Sequence, residues 1–152
     1  MASKLQQAVW AQFVGGQLIS FEGEQPLKMQ HSDGTARPLV VDKEAKFGAD
    51  IVRFAPGDGV GLHTHVGAHI LFVAKGTGIL TYDDEKHGMF PGLVYGIPSN
   101  MPHAIDAITE LMLLAVGNDH KAADSPERLD LVQRKRRKKR ERKPTRPHPA
   151  KS

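Results

Sequence analysis

The chain has no cysteine among its 152 residues. That absence removes disulfides, thiolate metal ligands and cysteine nucleophiles together, so any site for a soft metal must be built from imidazole. No run of about 18 apolar residues occurs, and no transmembrane helix is expected. The opening "MASKLQQAVWAQFVGG" is too polar for the apolar region of a secretory signal, which sets the expectation of a soluble cytoplasmic protein. Helix-period patterns are scarce as well. What replaces them is a series of short apolar runs bounded by turn residues, with 15 glycines and 10 prolines in the chain. This is the pattern of an all-β domain.

Strands are expected near 9–13, 17–21, 38–41, 49–54, 68–74, 78–83, 93–98 and 110–117, where Val, Ile, Phe and Tyr concentrate and several segments alternate in polarity. The clusters "APGDGVG", "KGTG", "DDEKHG" and "PSNMP" between them read as turns. "SPERLDLVQ" is expected to begin a short helix, with Ser125 as N-cap and Pro126 in the first helical position. The domain is placed at residues 1–132, with a barrel core at about 39–117.

The net charge of +4 divides unevenly. Residues 133–152 carry 11 Lys or Arg against one acid, Glu141, whereas residues 1–132 carry 10 basic and 16 acidic side chains. The basic character thus belongs to a tail, "RKRRKKRERKPTRPHPAKS", which cannot bury apolar area and is expected to be disordered. It has no interleaved aromatics to stack on bases. Any nucleic-acid binding by it would be non-specific and salt-sensitive, and a solvated extension is the favoured reading.

Four of the eight histidines define the candidate site. His63 and His65 are two apart, so on a strand both imidazoles share one face and can converge on one ion. Even spacing keeps His69 on that face, and His103, after a Pro/Asn turn, can approach from a neighbouring strand. A lone histidine in a strand is usually packed or exposed without a ligand. His31, His87 and His120 are read as loop histidines.

The order of these elements resembles the cupin superfamily. Its first motif is Gly, five residues, His-x-His, three or four residues, Glu, six residues, Gly. Here it reads Gly57, "DGVGL", His63-Thr64-His65, "VGA", His69, "ILFVAK", Gly76. Its second is Gly, five residues, Pro-x-Gly, two residues, His, three residues, Asn, and here it reads Gly92, "LVYGI", Pro98-Ser99-Asn100, "MP", His103, "AID", Ala107. The resemblance covers residues 39–117 and implies a double-stranded β-helix, a jelly-roll barrel with a site in its mouth. Carried over position by position, it implies His63, His65, His69 and His103 as ligands of one divalent transition metal: Fe, Cu, Ni or Zn. His69 stands where the family places Glu, and Asn100 stands for a glycine, which Asn can replace because it enters the left-handed region. Four neutral imidazoles leave the ion its full charge, which favours an anionic ligand and raises the potential of a redox metal.

Phe54, Phe72, Tyr82, Tyr95 and Met112 are candidate core or pocket residues. Tyr82 and Tyr95 are also candidate catalytic phenols, and Arg53 is a candidate clamp for a substrate carboxylate, set against a solvated charge on the outer face. The expected function is a metal-dependent enzyme acting on a small molecule, of the dioxygenase type of oxidoreductase. The alternatives are a non-redox isomerase, lyase or epimerase, and a binding protein without turnover. Open edge strands near the N-terminus lead to the expectation of a homodimer.

Overall fold

The computed structural model describes residues 11–21 and 25–132. The basic tail, 133–152, and the start of the first expected strand lie outside the described residues. All eight expected strands are present among thirteen: β1 Ala11–Val14, β2 Gln17–Phe21, β3 Leu27–Lys28, β4 Thr35–Asp42, β5 Phe47–Phe54, β6 Gly59–Thr64, β7 His69–Lys75, β8 Gly78–Tyr82, β9 Glu85–Met89, β10 Val94–Ile97, β11 His103–Ala107, β12 Leu111–Asn118 and β13 Asp130–Leu131. A six-stranded sheet runs β10-β7-β12-β5-β4-β3 and a five-stranded sheet runs β13-β6-β11-β8-β9. They face each other as the two walls of a jelly-roll barrel, with every pairing among the described residues antiparallel. The N-terminal strands β1 and β2 pair with one another in a separate two-stranded ribbon, so they are not edges of the barrel sheets.

Alternation builds the core. In β5 Val52 and Phe54 point inward, in β12 Leu111, Leu113 and Ala115, and in β7 Leu71 and Val73; all are buried. From the facing sheet come Leu80, Ile105 and Ala107. Burying a side chain the size of Phe54 or Leu113 contributes about 1.5–3 kcal/mol, which is why one face of each strand is so consistently apolar. The core reaches past the expected 39–117 on both sides, because Met29, Ala36, Ala123 and Leu129 are buried in it.

Three expectations are corrected. "DDEKHG" is a turn only at Asp83 and Asp84, whose φ values of 49° and 62° suit a two-residue hairpin turn. Strand β9 starts immediately after it, and its exposed Glu85 and Lys86 protect a sheet edge. "APGDGVG" likewise gives way to β6 at Gly59. The helix expected from Ser125 does not form. The Ser125 side-chain oxygen accepts the Glu127 amide at 3.2 Å in a turn, and the chain then pairs as β13 with β6, Asp130 opposite Thr64 and Leu131 opposite His63. Pairing of this edge outweighs a helix too short to propagate. Among the described residues no helix is long and apolar enough to cross a membrane.

Candidate metal centre

A break in strand register places the first histidine. Along β11 His103 pairs with His63 while Ile105 pairs with Val60, so β6 carries one residue more than β11 over this stretch. The bulge lets Val60 and His63, three apart, both point inward, and re-aiming a side chain next to a site is a common use of such an insertion. His65 follows two residues later. His103 opens β11 beside His63, brought there by the turn at 98–101, in which Asn100 has a φ of 57° and donates its amide to the His65 carbonyl at 2.8 Å. His69 opens β7 in the facing sheet.

One ligand atom from each of His63, His65 and His103 lies within 4.8 Å of the others. His69 packs against this group, its ring centroid 4.4 Å from that of His65 and 5.4 Å from that of His103. Three of the four imidazoles are held in the same way. The Nδ1 of His63 is 2.8 Å from the Gly61 carbonyl, that of His65 is 2.7 Å from Gly67 O, and that of His103 is 2.8 Å from Met101 O. A carbonyl only accepts, so each Nδ1 carries the proton and donates it, and each Nε2 is left with a lone pair. The Nε2 atoms of His65, His69 and His103 are buried without a hydrogen-bond partner. Orphaned buried polar atoms are costly, and here their lone pairs gather in one place. A metal ion would satisfy them, with the Nδ1–H bonds holding His63, His65 and His103 in the ligating tautomer and orientation.

Electrostatics point the same way. Burial, then the neighbouring His103, pushes His63 down to about 3; burial, then His65 and His103, pushes His69 to about 2; burial pushes His103 to about 4. His65 is lowered too, first by burial. The cluster is thus neutral near pH 7, the form that binds metal.

Glycines make room for it. On the inner face of the six-stranded sheet, His69 of β7 lies opposite Gly117 of β12, and Gly117 lies opposite Gly48 of β5. A Cβ on Gly117 would sit 2.7 Å from the His69 Cβ, and one on Gly48 would sit 2.6 Å from a ring carbon of His120. One row deeper, the same strands present Leu71, Ala115 and Asp50. The cavity below the histidines, about 70 Å³, is walled by Val52, Phe54, Leu71, Ile105 and Leu113.

The other wall is charged and was not anticipated. Asp50 is 1% exposed on the inner face of β5. Its Oδ2 is 2.7 Å from His120 Nε2 and accepts a hydrogen bond from Arg128 Nη2 at 2.6 Å. Burial pushes the Asp50 carboxyl up, but the His120 hydrogen bond and the Arg128 charge outweigh it and hold it below the ordinary carboxylate range. Both His120 and Arg128 line the cavity. The segment between them crosses the barrel mouth, pinned by the Asp119 amide on Lys46 O, the Gln30 amide on Ala123 O, and β13 on β6. His120 is therefore a loop residue, as expected, but its side chain is turned inward and is only 8% exposed. Its signal was weak: neither His120 nor Asp50 belongs to a spaced motif, and Arg128 sat in the segment read as helix.

Arg53, Tyr82 and Tyr95 are not among the cavity-lining residues. Arg53 falls between inward Val52 and Phe54, so alternation turns it outward, where it pairs with Glu110 at 2.7 Å. This corrects its expected role as a carboxylate clamp and matches the solvated-charge reading. Tyr82 is opposite His103 in the sheet and packs against the core. Tyr95 also packs there, and its hydroxyl donates to Gly88 O at 2.5 Å, tying β10 to β9 across the sheet edges. Phe54 lines the cavity, whereas Phe72 is on the outer face, 38% exposed.

The cupin domain family model matches residues 50–117. A search of curated proteins finds no match. Among solved structures, a cupin-2 domain protein from Rhodospirillum rubrum is 19% identical with a TM-score of 0.60, covering 72% of this chain and 76% of its own. A predicted oxalate decarboxylase from Thermotoga maritima is 25% identical with a TM-score of 0.52, covering 62% of this chain and 90% of its own. A salicylate 1,2-dioxygenase from Pseudoaminobacter salicylatoxidans is 20% identical with a TM-score of 0.53, covering 56% of this chain and 26% of its own. The family match, the paired sheets and the spaced histidine motifs together identify residues 50–117 as a cupin domain.

Proposed function

We propose that this chain is a metal-dependent cupin enzyme acting on a small molecule in the barrel mouth, with His63, His65, His69 and His103 holding one divalent transition metal. The observation that carries this reading is the buried, unpartnered Nε2 atoms of His65 and His103, whose Nδ1–H groups are already committed, beside the equally unpartnered Nε2 of His69. Imidazole-only ligation suits Fe, Cu, Ni or Zn, and oxidoreductase chemistry of the dioxygenase type is the reading favoured. The ion would supply Lewis acidity and, if redox-active, electron transfer. The chain's own residues supply a dry apolar wall from Val52, Phe54 and Leu113, and a polar wall at His120 and Arg128. Similarity to a salicylate dioxygenase and a predicted oxalate decarboxylase is consistent with a small carboxylate-bearing substrate. The non-redox alternative gains nothing from Tyr82 or Tyr95, since neither lines the cavity.

The test is metal analysis of protein purified without chelators or nickel resin, followed by oxygen uptake with the iron- and copper-loaded protein. Oxygen uptake dependent on a small substrate supports the oxidoreductase reading. Turnover with zinc or nickel and no oxygen use would move it to the non-redox class. The homodimer is part of the same proposal, and size-exclusion chromatography with light scattering tests it.

A further inference from the structure

The geometry points to Arg128, oriented by Asp50 and His120, as the binding residue for a carboxylate group of the ligand, which then spans the cavity from the guanidinium to the histidine cluster. This rests on the reading of that cluster as a metal centre and names the substrate's chemical class.

The placement of Arg128 carries the inference. It comes from a segment that crosses the mouth, not from a barrel strand, yet its side chain is only 9% exposed and lines the same cavity as His63, His65, His69 and His103. A guanidinium has five N–H donors. Described residues use two: Nη2 donates to Asp50 Oδ2 at 2.6 Å and Nη1 to the Lys121 carbonyl at 2.9 Å. These two bonds fix the plane of the fork and leave three N–H groups without a partner among the described residues, and a guanidinium is the group best suited to bind a carboxylate. His120, bonded to the same Asp50 oxygen, adds a second polar group on that wall.

The charges favour the same ligand. Asp50 balances Arg128, and no carboxylate belongs to the histidine group, so a divalent ion there would leave the cavity net positive. At the rim, Asp119 and Lys121 oppose one another in sign. The remaining wall is apolar, offering a neutral polar ligand few partners. A buried clamp that merely fastened the mouth segment would need the Asp50 pair but would not discriminate between ligands by charge.

Calorimetric titration of zinc-loaded protein with acetate and malonate, against acetamide and malonamide, separates the two roles, with zinc content measured in parallel. Wild type should bind the carboxylates and not the amides. Arg128→Gln should keep one zinc per chain and lose at least tenfold in carboxylate affinity, and Arg128→Lys, which keeps the charge without the fork, should fall between. If Arg128→Gln does not fold, His120→Gln and Arg128→Lys carry the same comparison. Carboxylate affinity unchanged in these variants, or amides bound as tightly as acids, or no carboxylate binding by wild type, overturns the proposal. Failure of wild type to take up zinc, copper or iron overturns the metal reading alone. The titration of the metal-free chain then still reads Arg128, a tenfold difference between wild type and Arg128→Gln supporting its role and equal affinity overturning it.

Discussion

A histidine that spends its Nδ1–H on a carbonyl two residues away cannot choose its tautomer, and His63, His65 and His103 all do so. Their neutrality has a consequence for stability. The ordinary value of 6.5 is lowered in the folded chain to about 3 for His63, about 2 for His69 and about 4 for His103. Between the folded and unfolded values the unfolded chain binds more protons. The metal-free protein should thus have its full stability above about pH 6.5 and lose it as pH falls towards the folded values. Each histidine still neutral at pH 5 costs about 2 kcal/mol there relative to pH 7. Thermal melts of the metal-free chain should show a marked drop from pH 7 to pH 5, and a smaller drop in His69→Gln; equal melting temperatures at the two pH values would contradict this. The four histidines were legible because even spacing and two glycine-bounded motifs mark them, and Asn100 fulfils the left-handed role expected of it. Asp50, His120 and Arg128 were not. Their meeting depends on a segment folding back 70 and 78 residues along the chain, which no local spacing records.

Strands β5, β7 and β12 were legible from alternation, because one face of each must be apolar to fill the barrel. Strands β6 and β9 were hidden by glycine and charge, residues that also serve turns. The bulge in β6 was invisible for a different reason: it exists only relative to the register of β11. The helix expected from Ser125 was a local preference overridden by pairing with β6. Element packing also explains the glycine row under the site. Gly48→Ala puts a methyl 2.6–2.8 Å from the His120 ring, so the ring must move and its bond to Asp50 must stretch. The variant should lose about 1–3 kcal/mol in denaturant melts, the range for overpacking, while a neutral result would show that the mouth segment yields freely. Breaking the triad is costlier: an Asp50 charge left buried without Arg128 costs about 3–5 kcal/mol.

At the scale of the molecule the charges separate, a net acidic 1–132 followed by a strongly basic 133–152. Among the described residues the last strand, β13, pairs with β6 and ends at Leu131. Deleting 133–152 should leave melting temperature and metal content nearly unchanged, and a substantial fall in either would contradict a solvated tail. The central claim is that the histidine cluster holds one transition metal. Elemental analysis of protein purified without chelators or affinity nickel, repeated on His103→Ala, tests it most directly. The account predicts close to one metal ion per chain in wild type and a large loss in the variant, whereas a folded wild type that carries no metal and takes up none of Fe, Cu, Ni or Zn on reconstitution would contradict it.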